Sequence, residues 1–199
     1  MYTNKGTIQN YLMIDIDSSF DTQINTWISV VESYINKYTG RKDGFESASE
    51  TRYFDGNGKN EIDIDEFTSL TTVQILEANG DDIGWTLTEG LEEDYIAYPY
   101  NDTPQYRLVL VSSSSVGVWY AGKKRIKITA IWGHSTTVPE DIELAATMLV
   151  ASIVEKGSRG GKVNSETLGD YSVSFGNIDE SAQDLGVKKI LDTYKLYII

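Results

Sequence analysis

The chain has 199 residues, with 30 acidic and 17 basic side chains, a net charge of −13, 40% hydrophobic residues and no cysteine. That length suits one sizeable domain or two small ones, and the apolar fraction supports a packed core. The missing cysteines exclude disulfides, thiolate nucleophiles and thiolate metal sites, while the negative charge opposes a general affinity for nucleic-acid phosphates, which rests on Lys and Arg displacing counterions.

Residues 6–14 read as a short helix, with Ile8, Tyr11 and Leu12 at i, i+3, i+4 spacing. Residues 15–19 break it, and Asp17, Ser18 and Ser19 can each cap a second helix. That second helix spans about 20–38, where Ile24, Trp27, Ile28, Val31, Tyr34, Ile35 and Tyr38 keep a 3.6-residue period. Gly40 closes it. From about 49 to 132 the pattern changes to short strands and turns. Strands are predicted at 51–54, 61–64, 71–76, 85–88, 94–98, 106–111 and 124–131. Asp55-Gly-Asn-Gly58 reads as the turn of a hairpin joining the first two. A helix is predicted at 138–156, then the Gly-rich breaker at 157–161 and a last helix at 181–194. Between them, residues 165–176 alternate Tyr171, Val173 and Phe175 against Ser172 and Ser174, the pattern of a strand with one apolar face. An isolated strand needs a partner edge, so Leu168, Tyr171, Val173 and Phe175 are candidate assembly contacts. The fold class is α+β, with an N-terminal helical part (1–48), an inserted antiparallel β region (49–133) and a C-terminal helical part (134–199) carrying the arm. The end segments are expected to pack together as a helical core.

The motifs that carry chemistry are weak. In residues 55–66, Asp55, Asn57, Asp63 and Glu66 fall at calcium-loop positions 1, 3, 9 and 12, with Ile62 at position 8. Lys59 stands where a ligand oxygen is needed and Asn60 where the bend wants Gly, and the flanks read as strands. Residues 157–162 hint at a phosphate loop but lack its spacing and its Ser or Thr, and they come after a helix. His134 is the only histidine, so any histidine-based triad or metal site must be built around it alone; just before Pro139 in a β-to-α loop, it reads first as a loop histidine bonded locally. No catalytic residue, cofactor or metal site is therefore predicted. Residues 123–127 hold four cations. Lys123, Arg125 and Lys127 would share one strand face, either of a solvated or edge strand protected by lysines or of a docking strand for an acidic patch on a neighbouring subunit. The opening residues lack the charged-then-apolar form of a signal peptide, and no apolar run approaches the ~18 residues a spanning helix needs.

In order along the chain stand Tyr34-Ile-Asn-Lys-Tyr-Thr-Gly40, Arg52-Tyr-Phe-Asp-Gly56, Asp94-Tyr-Ile, Ile128-Thr-Ala-Ile-Trp-Gly133, Val138-Pro-Glu-Asp-Ile-Glu-Leu-Ala-Ala146 and Ser165-Glu-Thr-Leu-Gly-Asp-Tyr-Ser-Val-Ser-Phe175. This ordered set resembles the head–tail connector (head-completion or adaptor) proteins of tailed bacteriophages. The resemblance implies a helical core with a β insertion and a structural virion protein of the neck, assembled in the host cytoplasm. It further implies a homo-oligomeric ring between the portal protein and a tail-side partner, through which DNA passes without tight binding. It brings no catalytic residues. The other class to weigh is a β-rich binding module for calcium or carbohydrate on a helical carrier.

Overall fold

A computed structural model describes residues 1–78, 83–157 and 175–196. The chain divides into two compact units, one from residues 1–44 and 138–199, the other from residues 45–137. It is an α+β protein: segments from both ends build a helical core, and the antiparallel sheet is inserted between them.

The helical unit starts with α1 (Lys5–Leu12), whose N-cap Asn4 accepts from the Thr7 amide. Helix α2 (Asp21–Thr39) comes after a single 3₁₀ turn, Ser18–Phe20, capped by Asp17. Ile24, Trp27, Ile28, Val31, Tyr34 and Ile35 are all buried, the stripe the 3.6-residue period predicts. Gly40 ends the helix at φ 78°. Helix α3 (Glu140–Gly157) carries acids in its first turn and Lys156 in its last, matching the helix dipole. Its buried face includes Ile142, Ala145, Ala146, Leu149, Val150 and Val154. The alanines are small enough to let neighbouring helices approach closely, and α1 and α2 both pack on α3.

The predicted last helix is two helices, α4 (Phe175–Asp184) and α5 (Val187–Thr193). Gly186, at φ 71°, makes the break. Helix α4 begins six residues earlier than the sequence suggests. Phe175, expected at the end of the extended arm, and Gly176, expected to terminate it, are its first two residues. The remaining arm residues Leu168, Tyr171 and Val173 lie outside the described residues.

The β unit has six strands: β1 (Ala48–Gly56), β2 (Glu61–Leu76), β3 (Ile83–Leu87), β4 (Tyr95–Tyr98), β5 (Gln105–Leu110) and β6 (Gly122–Trp132). They form one antiparallel sheet in the order β1-β6-β2-β5-β4, with β3 also pairing β2. Two expectations are corrected here. The segments 61–64 and 71–76 are one strand, because residues 65–70 hold no glycine or proline to turn the chain, and shifts of register absorb the bend. The pair 51–54 and 61–64 is not a hairpin. β1 pairs along its length with β6, Arg52 opposite Ile128 and Phe54 opposite Ile126, so β6 lies between β1 and β2.

The sheet bends around a core of Phe67, Val73, Ile75, Leu108, Trp119, Ile126, Ile128, Ala130 and Trp132. Alternate residues of β6 supply four of these, as period-2 alternation requires. Two glycines allow close crossings. A Cβ on Gly56 would stand 1.8 Å from the Tyr120 carbonyl oxygen. One on Gly133, at φ 135°, would stand 2.7 Å from the Ser47 Cα.

Candidate assembly surfaces

The carboxylates of residues 55–66 are drawn apart by the strand that carries them. Glu61, Asp63 and Asp65 sit on alternate positions of β2, so successive side chains are separated by about 7 Å along the strand. Arg107 pairs with Asp63 at 2.5 Å and Glu61 at 3.7 Å, and Arg52 pairs with Asp65 at 2.8 Å and Glu50 at 2.9 Å. Asp55 accepts from the Lys124 amide, and Asn57 closes its own turn on the Lys59 amide. An extended strand cannot wrap these oxygens around one ion. Among the described residues no group of three or more His, Asp or Glu is placed to hold a metal.

His134 stands beside Glu66, Nδ1 to Oε2 3.7 Å, with its ring edge-on to Phe45 at 5.8 Å between centroids. Both members of the pair are mostly covered. Its neighbours are an acid and an aromatic ring of the same β unit, so the residue is placed as a packing element there.

The basic strand is divided by geometry. Lys124 adopts φ 51°, and the register jumps from Phe54 opposite Ile126 to Gly56 opposite Gly122, so extra residues bulge from β6. The simple alternation expected for Lys123, Arg125 and Lys127 breaks there. Arg125 is turned to structural use: Nε donates to the Leu76 carbonyl at 2.9 Å, and the guanidinium lies 5.9 Å from the Tyr120 ring centroid. Lys127 is half-buried opposite Tyr53 and Gln74. Lys123 is exposed. The strand is interior to the sheet, so the reading of a lysine-protected edge is replaced: β1 and β4 end the main path of the sheet.

A set of contacts with little signature in the sequence ties the C-terminal helices to α2. Tyr34 donates to Asp179, which also pairs with Lys188 at 2.9 Å. Tyr38 donates to Asp192 at 2.8 Å, and Lys195 lies over the Tyr38 ring at 5.0 Å. Arg41 Nε donates to the Tyr194 carbonyl, and the Leu196 amide donates to the Thr39 carbonyl. Burial and the nearby Asp192 push the Tyr38 hydroxyl up to about 12. The bonds from Lys188 and Tyr34 hold Asp179 below the ordinary carboxylate range. The only sequence signal for these posts is two tyrosines on the helical stripe of α2, where an all-aliphatic core would have sufficed.

No known family model matches the chain. No curated protein matches it. Among solved structures it is similar to a chain of the "Neck of empty GTA particle computed with C6 symmetry", at TM-score 0.49 and 14% identity over 90% of this chain and 80% of that one. No described helix is long and apolar enough to cross a membrane.

Proposed function

We propose that this chain is a structural head–tail connector of a phage-like particle: a neck protein that forms a homo-oligomeric ring, docks on the portal protein and continues the DNA channel toward a tail-side partner. The observation that carries the reading is the ordered series of sequence elements resembling that family, laid out on a helical core built from both ends of the chain, with the β unit inserted in the sequence between them. The role is assembly, with no catalysis and no cofactor. The excess of acid over base suits a channel wall past which DNA slides without sticking. The arm residues Leu168, Tyr171 and Val173 engage the portal or a neighbouring copy, with Phe175 at the arm's root. Lys123 and Lys127 are the cations of the basic strand available to an acidic partner, while Arg125 serves the sheet itself. The protein is placed in the virion neck after assembly in the host cytoplasm.

The test is imaging of the purified chain mixed with portal complexes from the same genome. Added density beneath the portal, repeated about its axis, is the expected result. A portal that stays bare at saturating protein overturns the reading. Within the arm, Val173→Asp is expected to leave circular dichroism and melting unchanged while portal binding or ring formation fails. A much lower melting temperature would instead place Val173 in the core of the monomer, and normal portal binding would remove the arm from the mechanism.

A further inference from the structure

Helix α1 ends in an unusual way. Met13, its C-cap, sits at φ 54°, ψ 39°, a left-handed conformation that favours glycine and costs other residues energy. Its side chain is 92% exposed and repays none of that cost by burial. Tyr11 and Ile14 beside it are 46% and 36% exposed. Three large apolar side chains thus stand together on one turn of a highly charged chain.

The turn is also held firmly. The Met13 and Ile14 amides both donate to the Gln9 carbonyl, and Gln9 Nε2 donates to Asp15 at 2.6 Å. Asp17 accepts from the Ser19 amide at 2.8 Å. Lys5 spans from the Asp17 carbonyl to Asp21, at 3.3 and 2.5 Å. A pre-organised apolar projection loses little entropy on binding. Its rim is acidic, with Asp15, Asp17 and Asp21.

The C-terminal half of α2 carries the opposite charge at its surface. A shallow groove there is lined by Ser33, Asn36, Lys37, Gly40 and Lys42. Small side chains open it, and two lysines stand at its rim. Glu32, which also borders it, accepts from the Tyr2 amide and lies 3.8 Å from the N-terminal amine. The groove runs from Ser29, near the middle of α2, to Lys42 beyond its end, and sixteen positions, about 24 Å at 1.5 Å per residue, lie between Asp21 and Lys37.

We propose that these two surfaces meet between copies of this chain: Tyr11, Met13 and Ile14 of one copy seat in the Lys37/Lys42 groove of the next. The charges are complementary, and the two surfaces are different patches, one ahead of α2 and one along its C-terminal half. The contact is therefore head-to-tail, the kind that propagates and closes into a ring. Its setting in a neck rests on the connector reading; the contact itself does not.

The absence of native cysteine makes the test clean. Met13→Cys and Ser33→Cys chains, each full length, are mixed and oxidised at high protein concentration. The mixture is expected to give a mixed disulfide dimer well above either chain alone. It should also exceed Met13→Cys mixed with a control, Thr103→Cys, on an exposed part of the β unit. A chain carrying both cysteines should give a ladder of higher oligomers. Asp15→Lys or Lys42→Asp alone should reduce trapping roughly twofold to fivefold, the range of a surface ion pair, and the two reversed chains together should recover it. Mixed disulfide no more abundant than the control overturns the proposal. So does Met13→Cys pairing mainly with itself, which marks a two-fold contact instead. Trapping that succeeds in a protein that leaves the portal bare keeps the contact and removes the neck setting.

Discussion

The Tyr34 hydroxyl donates to Asp179 Oδ1 at 2.9 Å, joining α2 to α4 across 145 positions of sequence. The tyrosine ring is 6% exposed, so its apolar body belongs to the core while its hydroxyl reaches the surface carboxylate. Asp179 in turn holds Lys188 of α5. One buried ring thus positions both C-terminal helices.

Tyr34→Phe keeps the ring and removes the bond. It is expected to lower the melting temperature by roughly 2–4 °C in thermal denaturation, the scale of one lost hydrogen bond in a chain of this size. Tyr38→Phe should cost less, because its bond to Asp192 is more exposed. The pH dependence has two limbs. Both tyrosine hydroxyls are raised above the ordinary value of 10, first by burial and then by the paired aspartates. The folded state therefore holds these protons more tightly, and their contribution is complete below pH 10. It is lost as pH rises through about 12 at Tyr38 and beyond that at Tyr34. Asp179 is lowered, so its contribution is present above the ordinary carboxylate range and lost as pH falls through the depressed value. Alkaline unfolding that is unchanged in the double Phe variant would contradict this account.

Two tryptophans of the β core make opposite demands. Trp132 Nε1 donates to the Glu50 carbonyl at 2.8 Å and carries Arg52 over its ring at 5.0 Å. Trp119 is fully buried, and its Nε1 meets no acceptor among the described residues. Both lose volume on replacement by Phe, but Trp132→Phe also breaks a bond and strands a carbonyl, whereas Trp119→Phe removes a donor that buries without a partner. Trp132→Phe is expected to cost about 1 kcal/mol more in urea denaturation than Trp119→Phe. Equal costs, or the reverse order, would refute the assignment.

Calcium should bind no tighter than millimolar, the weak end of the usual range. Arg107 and Arg52 already neutralise Glu61, Asp63 and Asp65, and Glu66 faces His134. Calorimetry on the native chain decides it. A micromolar site lost in Glu66→Gln would restore the loop that the sequence pattern suggests.

How much of the molecule is legible in its sequence depends on the range of the interaction. Helix α2 is readable because its signal is local: the stripe from Ile24 to Ile35 and the stop at Gly40 lie within one element. The helical core with a β insertion is readable for the same reason, since the period changes from 3.6 to 2 and back. Strand order is not. Asp55-Gly-Asn-Gly58 has the composition of a hairpin turn, yet β1 pairs with β6, about seventy positions away. Burial of Ile126, Ile128 and Trp132 fixes that register, and no local pattern encodes it. The Tyr34–Asp179 and Tyr38–Asp192 posts are hidden likewise, each being a pair separated by most of the chain. The basic run at 123–127 is visible as composition, but the bulge at Lys124 that sorts its members is not.

That sorting is testable residue by residue. Arg125 bonds the Leu76 carbonyl and lies over Tyr120, so it fastens the end of β2 to the start of β6. Arg125→Ala leaves a half-buried carbonyl without its donor and removes the packing of the side-chain stem, and is expected to destabilise by about 1 kcal/mol. Lys123 is exposed and makes no comparable bond among those described. Lys123→Glu should leave the urea midpoint unchanged within error. If the strand docks an acidic partner, the same substitution should weaken portal or ring assembly, and more so at low salt, where a rim charge acts over a longer range. Lys127, half-buried between Tyr53 and Gln74, should show a share of both effects. The opposite pattern, with Arg125→Ala stable but unable to assemble and Lys123→Glu unfolded, would return the basic run to a uniform docking strand.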